Sequence, residues 1–133
     1  MELVDVAPTL LEAAGLPVYA GIQGKSLWPM LSGNASVDHH RDSIYAEYYQ
    51  AIPDGYNPPE GAYATAARTD MYAISRVHRR NDGELYDLTE DPGETVNRWN
   101  DPSCSGIKAD MLSLLCDRMA ETIDPLPPVE AGY

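Results

Sequence analysis

The 133-residue chain has no phenylalanine, only two cysteines, and nine lysines and arginines against 21 aspartates and glutamates. Each shortage rules against something. A formal charge of −12 repels the phosphates of nucleic acids and of anionic lipid headgroups, which argues against nucleic-acid binding and against docking on a membrane surface. No run approaches the roughly 18 uninterrupted apolar residues of a membrane span, and the first residues lack the basic start and apolar stretch of a secretory signal. A cytoplasmic location is therefore the default expectation. Cys104 and Cys116 lie twelve residues apart in or beside a stretch with helical spacing. That is roughly 15 to 18 Å, beyond disulfide reach, so both are expected to be free thiols, as a reducing compartment would leave them.

What is present describes one loop-rich domain. An apolar content of 44% suffices for a modest core at this length, and eleven prolines, ten glycines and nine tyrosines punctuate it. Asp5 to Gly15 reads as a short helix: Asp5 suits the cap, Pro8 the first turn and Gly15 the end. Leu3, Val6, Leu10, Leu11 and Ala14 fall on one face of it, and the simplest reading is a plain core helix with that face buried. Ser26 to Leu31 reads as one or two further turns, capped by Ser26 and stopped at Gly33.

Three strands are expected at Ala64–Arg68, Met71–Arg79 and Glu84–Leu88, joined by Thr69-Asp70 and by Asn81-Asp82-Gly83, whose Asp-Gly pair is a hairpin signal. Ile44–Tyr49 can supply a fourth, and the proline-rich stretch Ala51 to Gly61 reads as a long loop. Ile107, Met111, Leu114, Leu115, Met119 and Ile123 recur at helical spacing until Pro125, Pro127 and Pro128 end the helix. The fold class is α+β: a small antiparallel sheet of about four strands packed against a long C-terminal helix, preceded by one or two short helices. The organisation expected is a helical segment over 1–33, a sheet-plus-helix subdomain over 34–124 and a tail over 125–133.

Three segments, taken in order, resemble the C-terminal region of the sulfatase family within the alkaline phosphatase superfamily. They are Val4 to Pro17 with Asp5, Pro8, Thr9, Leu10 and Leu11, continued by Gly24 to Gly33; then Ala67-Arg68-Thr69-Asp70-Met71-Tyr72; then Glu84 to Asn97, with Leu85-Tyr86-Asp87 and Asp91-Pro92-Gly93-Glu94. The resemblance covers roughly residues 2 to 123. It implies the small subdomain that packs beside a large α/β catalytic domain. Relatives commonly carry lysine after the tyrosine where Ala73 follows Tyr72, and Asn34 to Tyr63 matches only loosely, which leaves the substrate open.

The family's chemistry uses a cysteine converted to formylglycine within Cys-x-Pro-x-Arg, and calcium held by aspartates and an asparagine. Here Cys104 precedes Ser105-Gly106-Ile107-Lys108, and Cys116 precedes Asp117-Arg118-Met119-Ala120. Neither fits the motif. No catalytic, cofactor-binding or metal residue carries over; calcium and formylglycine are implied only for the complete enzyme, and the chain alone is expected to be inactive. Its expected partner is the missing catalytic domain, or a second copy through the first helix. The alternatives are a free-standing interaction or oligomerisation module, and the same piece of a phosphonate or phosphodiester hydrolase.

Several residues invite a functional reading. His39, His40 and Arg68 are the candidates for a pocket wall in the complete enzyme, because a histidine or a guanidinium fork can contact an anionic substrate; a solvated loop and an ordinary ion pair are the simpler readings. Asp87, Glu90, Asp91 and Glu94 suggest a calcium loop, but Leu88, Thr89 and Pro92 break the ligand alternation and favour a stiffened turn. Arg76, His78, Arg79 and Arg80 form the only basic cluster, read most simply as a solvated strand end, with an anion site as the alternative. Tyr45, Tyr48, Tyr49, Tyr56 and Tyr63 suggest a seam or a sugar-stacking wall, although half-buried tyrosines are ordinary in strands.

Overall fold

The computed structural model describes residues 1–49 and 63–123, with Tyr49 described in its backbone only. The expected loop at 51–61, Tyr56 and the tail at 125–133 lie outside the described residues. The chain forms two compact units, Met1–His40 with Met119–Tyr133, and Arg41–Arg118.

The second unit holds four strands, β1 (Ile44–Tyr49), β2 (Tyr63–Arg68), β3 (Tyr72–Val77) and β4 (Asp82–Asp87), in the order β1-β2-β3-β4 with every pair antiparallel. The expected meander and its fourth strand are present. Cross-strand register aligns Ala67, Ile74 and Leu85 in one row, and all three are buried. Helix α3 (Ser105–Glu121) contributes Met111 and Leu115 to the same core, one helical turn apart. Burying Ile74, Leu85 and Leu115 contributes about 2 kcal/mol each. Asp101 caps the entry to this helix, accepting from Ser103 N at 3.0 Å and from Ser103 Oγ at 2.7 Å, and Arg118 Nη1 ties its far end to the Ser43 carbonyl at 3.3 Å. The helix stops at Glu121, so Ile123 is not part of its apolar stripe and is exposed.

The β3–β4 connection differs from expectation. Asp82 and Gly83 lie inside β4, and the positive φ that the turn needs falls on Arg79 (φ 64°). Gly83 is required for another reason, since the Trp99 indole lies directly over it. The outer edge of β4 is closed by a short loop segment. Leu85 N donates to Asn97 Oδ1 at 3.1 Å, Asn97 Nδ2 donates to Gly83 O at 3.1 Å, and Arg98 N donates to Leu85 O at 2.7 Å. A bare edge strand invites pairing with another chain, and this loop occupies its hydrogen bonds.

The first unit is built on polar burial. Helix α1 (Val6–Ala13) follows a 3-10 turn at Leu3–Asp5 and ends at Gly15 (φ 70°), with Leu16 N bonded to Leu11 O at 2.9 Å. The core-helix expectation is overturned here. Asp5, Pro8 and Thr9 are buried, while Leu3 is 86% and Leu10 65% exposed. Asp5 is fully buried with its carboxylate serving both local and distant backbone: Oδ2 accepts from Glu2 N and Oδ1 from Lys25 N, both at 2.8 Å. Thr9 Oγ1 donates to Asp5 O at 2.6 Å and accepts from Leu27 N at 2.8 Å, which positions the single turn α2 (Trp28–Leu31) against α1. A polar residue set, not an apolar stripe, decides how α1 is seated.

Candidate functional site

His39 and His40 belong to the first unit and Arg68 to the second. His40 is nearly enclosed: its Nε2 stands 3.2 Å from Asp5 Oδ2, and its carbonyl accepts from Lys25 Nζ at 2.6 Å. The Asp5 junction thus recruits the second histidine of the pair, while His39 is exposed. Arg68 is exposed and pairs with Glu94, a residue held at positive φ (54°).

The acidic turn between β4 and Trp99 binds its own backbone. Asp87 Oδ1 accepts from Thr89 N at 3.0 Å and from Glu90 N at 3.2 Å. Asp91 accepts from Thr95 N at 2.7 Å, Val96 N at 2.8 Å and Thr95 Oγ1 at 3.0 Å. These oxygens are aimed at amides of the turn, which is the geometry of a local cap. The Val96 amide, with Thr95, holds the Asp91 carboxyl below its ordinary pKa. A carboxylate depressed in the folded state stabilises the fold above its ordinary pKa, and the contribution is lost as pH falls through the lower folded value. Replacing Asp91 with Asn is therefore expected to flatten the acid limb of stability below about pH 4, and to speed hydrogen exchange at the Thr95 and Val96 amides at neutral pH.

On the face of the sheet opposite the Ala67–Ile74–Leu85 row, register aligns Ala46, Ala66, Ser75 and Glu84 in one row and Ile44, Arg68, Ala73 and Tyr86 in the next. Small side chains leave a shallow concavity of about 230 Å³, rimmed by Arg68, Glu94, Glu84 and Tyr86. Burial, with Glu84 and Glu94 nearby, pushes the Tyr86 hydroxyl up. Tyr45, whose hydroxyl donates to Glu47 at 2.8 Å, is pushed up by burial and by that carboxylate. Both phenols stay protonated, as donors and not as bases. His78 is pushed down by burial and by Arg76; its ring stacks on Tyr63 at 4.4 Å and its Nε2 lies 2.8 Å from Thr65 Oγ1. The tyrosine wall is thereby divided: Tyr45 and Tyr63 lie on the core-side face and Tyr48 on the open one.

Such an arrangement offers donors, a charged rim and apolar walls. A general base paired with a nucleophile is not among the contacts described. A match to the family model of the N-sulphoglucosamine sulphohydrolase C-terminal domain extends over residues 1–121. The chain belongs to this sulfatase C-terminal domain family. It is 32% identical over 124 residues to a Delta 4,5-hexuronate-2-O-sulfatase of Bacteroides thetaiotaomicron, a match that covers 91% of this chain and 24% of that protein. Among solved structures, a protein assigned as a sulfatase from the same organism superposes with a TM-score of 0.73 at 31% identity, covering 90% of this chain and 25% of the other. A phosphonate monoester hydrolase from Silicibacter pomeroyi superposes with a TM-score of 0.76 at 22% identity, covering 91% and 25%, and shows the shared fold. This sulfatase C-terminal domain spans about a quarter of the length of these relatives.

The relatives imply calcium and formylglycine for the complete enzyme. The residues described here do not fit either group. Asp87 Oδ1 and both carboxylate oxygens of Asp91 are occupied by their turn, no cluster of three or more His, Cys, Asp or Glu side chains is set for a metal among the described residues, and Cys104 and Cys116 are free and lack the modification motif. Among the described residues no helix is long and apolar enough to cross a membrane. Two structurally decisive residues that no functional or packing reading of the sequence singled out are Asn97, at the end of the third quoted motif, and Trp99, just beyond it. Their only signal in the sequence is a polar amide and a lone tryptophan just after the acidic turn, which by pattern reads as loop.

Proposed function

We propose that this chain is the C-terminal subdomain of a sulfatase-type hydrolase that cleaves sulfate esters when complete, and that it serves there as scaffold and pocket wall without catalysing the reaction alone. The family match over residues 1–121 carries this reading. The exposed Leu3, Val6 and Leu10 of the first segment support it, because an apolar stripe left in water is favourable only when another surface covers it. Residues 1–33 are then the part that packs on a catalytic domain and 34–124 the subdomain proper, with His39 and His40 in the first unit and Arg68 in the second as separate candidates for contact with substrate.

The test is hydrolysis of an aryl sulfate by the purified chain with calcium, beside an aryl phosphonate control. Neither substrate is expected to turn over above a buffer blank, and turnover that survives repurification would refute inactivity. Reading the coding DNA upstream of Met1 provides the complement: an in-frame Cys-x-Pro-x-Arg supports the subdomain reading. A stop codon with a ribosome site before Met1 would instead favour a free-standing module, which light scattering would show as a dimer formed through the Leu3 and Leu10 face.

A further inference from the structure

We propose that Arg76, on the core-side face of the sheet, is the centre of an oxyanion site. The basic cluster of the sequence splits in the structure: Arg79 and Arg80 are exposed in the turn, whereas Arg76 and His78 are drawn into the sheet and only half-exposed. In a chain with 21 acidic and nine basic residues, an arginine ordinarily finds a carboxylate. Arg68 has Glu94 and Arg98 has Asp101. The Arg76 side chain makes no hydrogen bond or ion pair among the described residues, and its Nε is shielded from solvent without an acceptor. A buried donor left unmade is unfavourable, and native structures place a partner, water or ion there.

The surroundings suit an anion. Register sets Arg76 between Thr65 on β2 and Gly83 on β4, and the Trp99 indole occupies the place that a side chain on Gly83 would take. His78 follows on the same face, with its Nε2 at the Thr65 hydroxyl. The indole covering Gly83 carries Lys108 Nζ 3.8 Å from its ring centroid, which adds a second cation to this flank. The carboxylate sharing the row is Glu47, opposite Thr65 on β1 and accepting the Tyr45 hydroxyl. It is the internal rival for Arg76. The ligand class is an oxyanion presenting two acceptor oxygens to the fork, either a sulfate or a carboxylate.

The test follows the Arg76 Nε–H signal of the ¹⁵N-labelled chain by NMR during titration with sodium sulfate, with sodium acetate and with sodium chloride at matched ionic strength. A saturable shift of that signal and of the His78 ring with sulfate or acetate, absent with chloride, is expected, and the stronger of the two arms identifies the source. Arg76→Lys, which keeps the charge but removes the fork, is expected to bind about tenfold more weakly, and Arg76→Gln to show no saturable response. A response no different from chloride would overturn the site. So would a shift of the Nε–H signal caused by Glu47→Gln without added anion, because it would make Glu47 the resident acceptor.

Discussion

Gly24→Ala is expected to cost about 4 kcal/mol, a large fraction of the stability of a domain this size. A Cβ on Gly24 would stand 2.0 Å from Val4 O, 2.6 Å from Val4 C and 3.0 Å from Pro8 Cγ. The first two are backbone atoms, so no rotamer change relieves the overlap. Val4 must move, and Asp5 moves with it. The next residue along, Lys25, donates its amide to Asp5 Oδ1, and the Asp5 carbonyl holds the Thr9 hydroxyl that accepts from Leu27 N. One methyl group therefore strains a buried carboxylate and the amides it satisfies together. Urea unfolding measures the loss, and hydrogen exchange locates it: the Lys25 and Leu27 amides should lose protection first. Gly106→Ala is the control. Nothing lies within 4 Å of its added Cβ on α3, and the change is expected to be neutral or stabilising by up to about 1 kcal/mol. Equal stabilities for the two variants would refute this account of Gly24.

Much of the second unit was legible in the sequence because a half-buried meander writes its pattern locally. Short strand-favouring runs bounded by turn residues, and helical spacing through Met111 and Leu115, are patterns that neighbours in the chain alone determine. The misreadings have a common cause, which is a partner distant in sequence. Periodicity assigned Leu3 and Leu10 to a core, but Asp5 is buried because Lys25, twenty residues on, needs an acceptor. The Asp82-Gly83 pair carries the local signature of a turn, yet Gly83 answers to Trp99. Arg76 looked like its exposed neighbours Arg79 and Arg80, and only cross-strand register shows where it stands. The candidate site was less legible for the same reason: His40 is attached to Asp5 across 35 residues and Arg68 to Glu94 across 26, distances over which a single sequence has no pattern.

Gly83→Ala is the second substitution with a large expected effect, and it separates two causes. The new Cβ would lie 2.6 Å from Trp99 Cζ3, 2.7 Å from Trp99 Cη2 and 2.7 Å from the Ser75 carbonyl oxygen on the neighbouring strand. The ring cannot simply rotate away. Trp99 is anchored through its amide to Asn97 Oδ1 at 2.9 Å, its carbonyl accepts from Lys108 Nζ at 2.8 Å, and Asn97 also closes the β4 edge. Displacing the indole thus loosens the strand edge and the link to α3 together, and the expected cost is about 3 kcal/mol. Trp99→Leu alone empties part of a buried site and is expected to cost about 2 kcal/mol. In the double variant the ring overlap is gone but the Ser75 carbonyl remains, so the two losses should fall short of additivity by about 1 kcal/mol. Thermal or urea unfolding of the four proteins closes the cycle. Strict additivity would mean that Gly83 is required by the backbone of β3 alone. A Gly83→Ala cost that vanished entirely with the ring would mean that the indole, packed where a side chain would otherwise stand, is the sole reason for glycine in this strand.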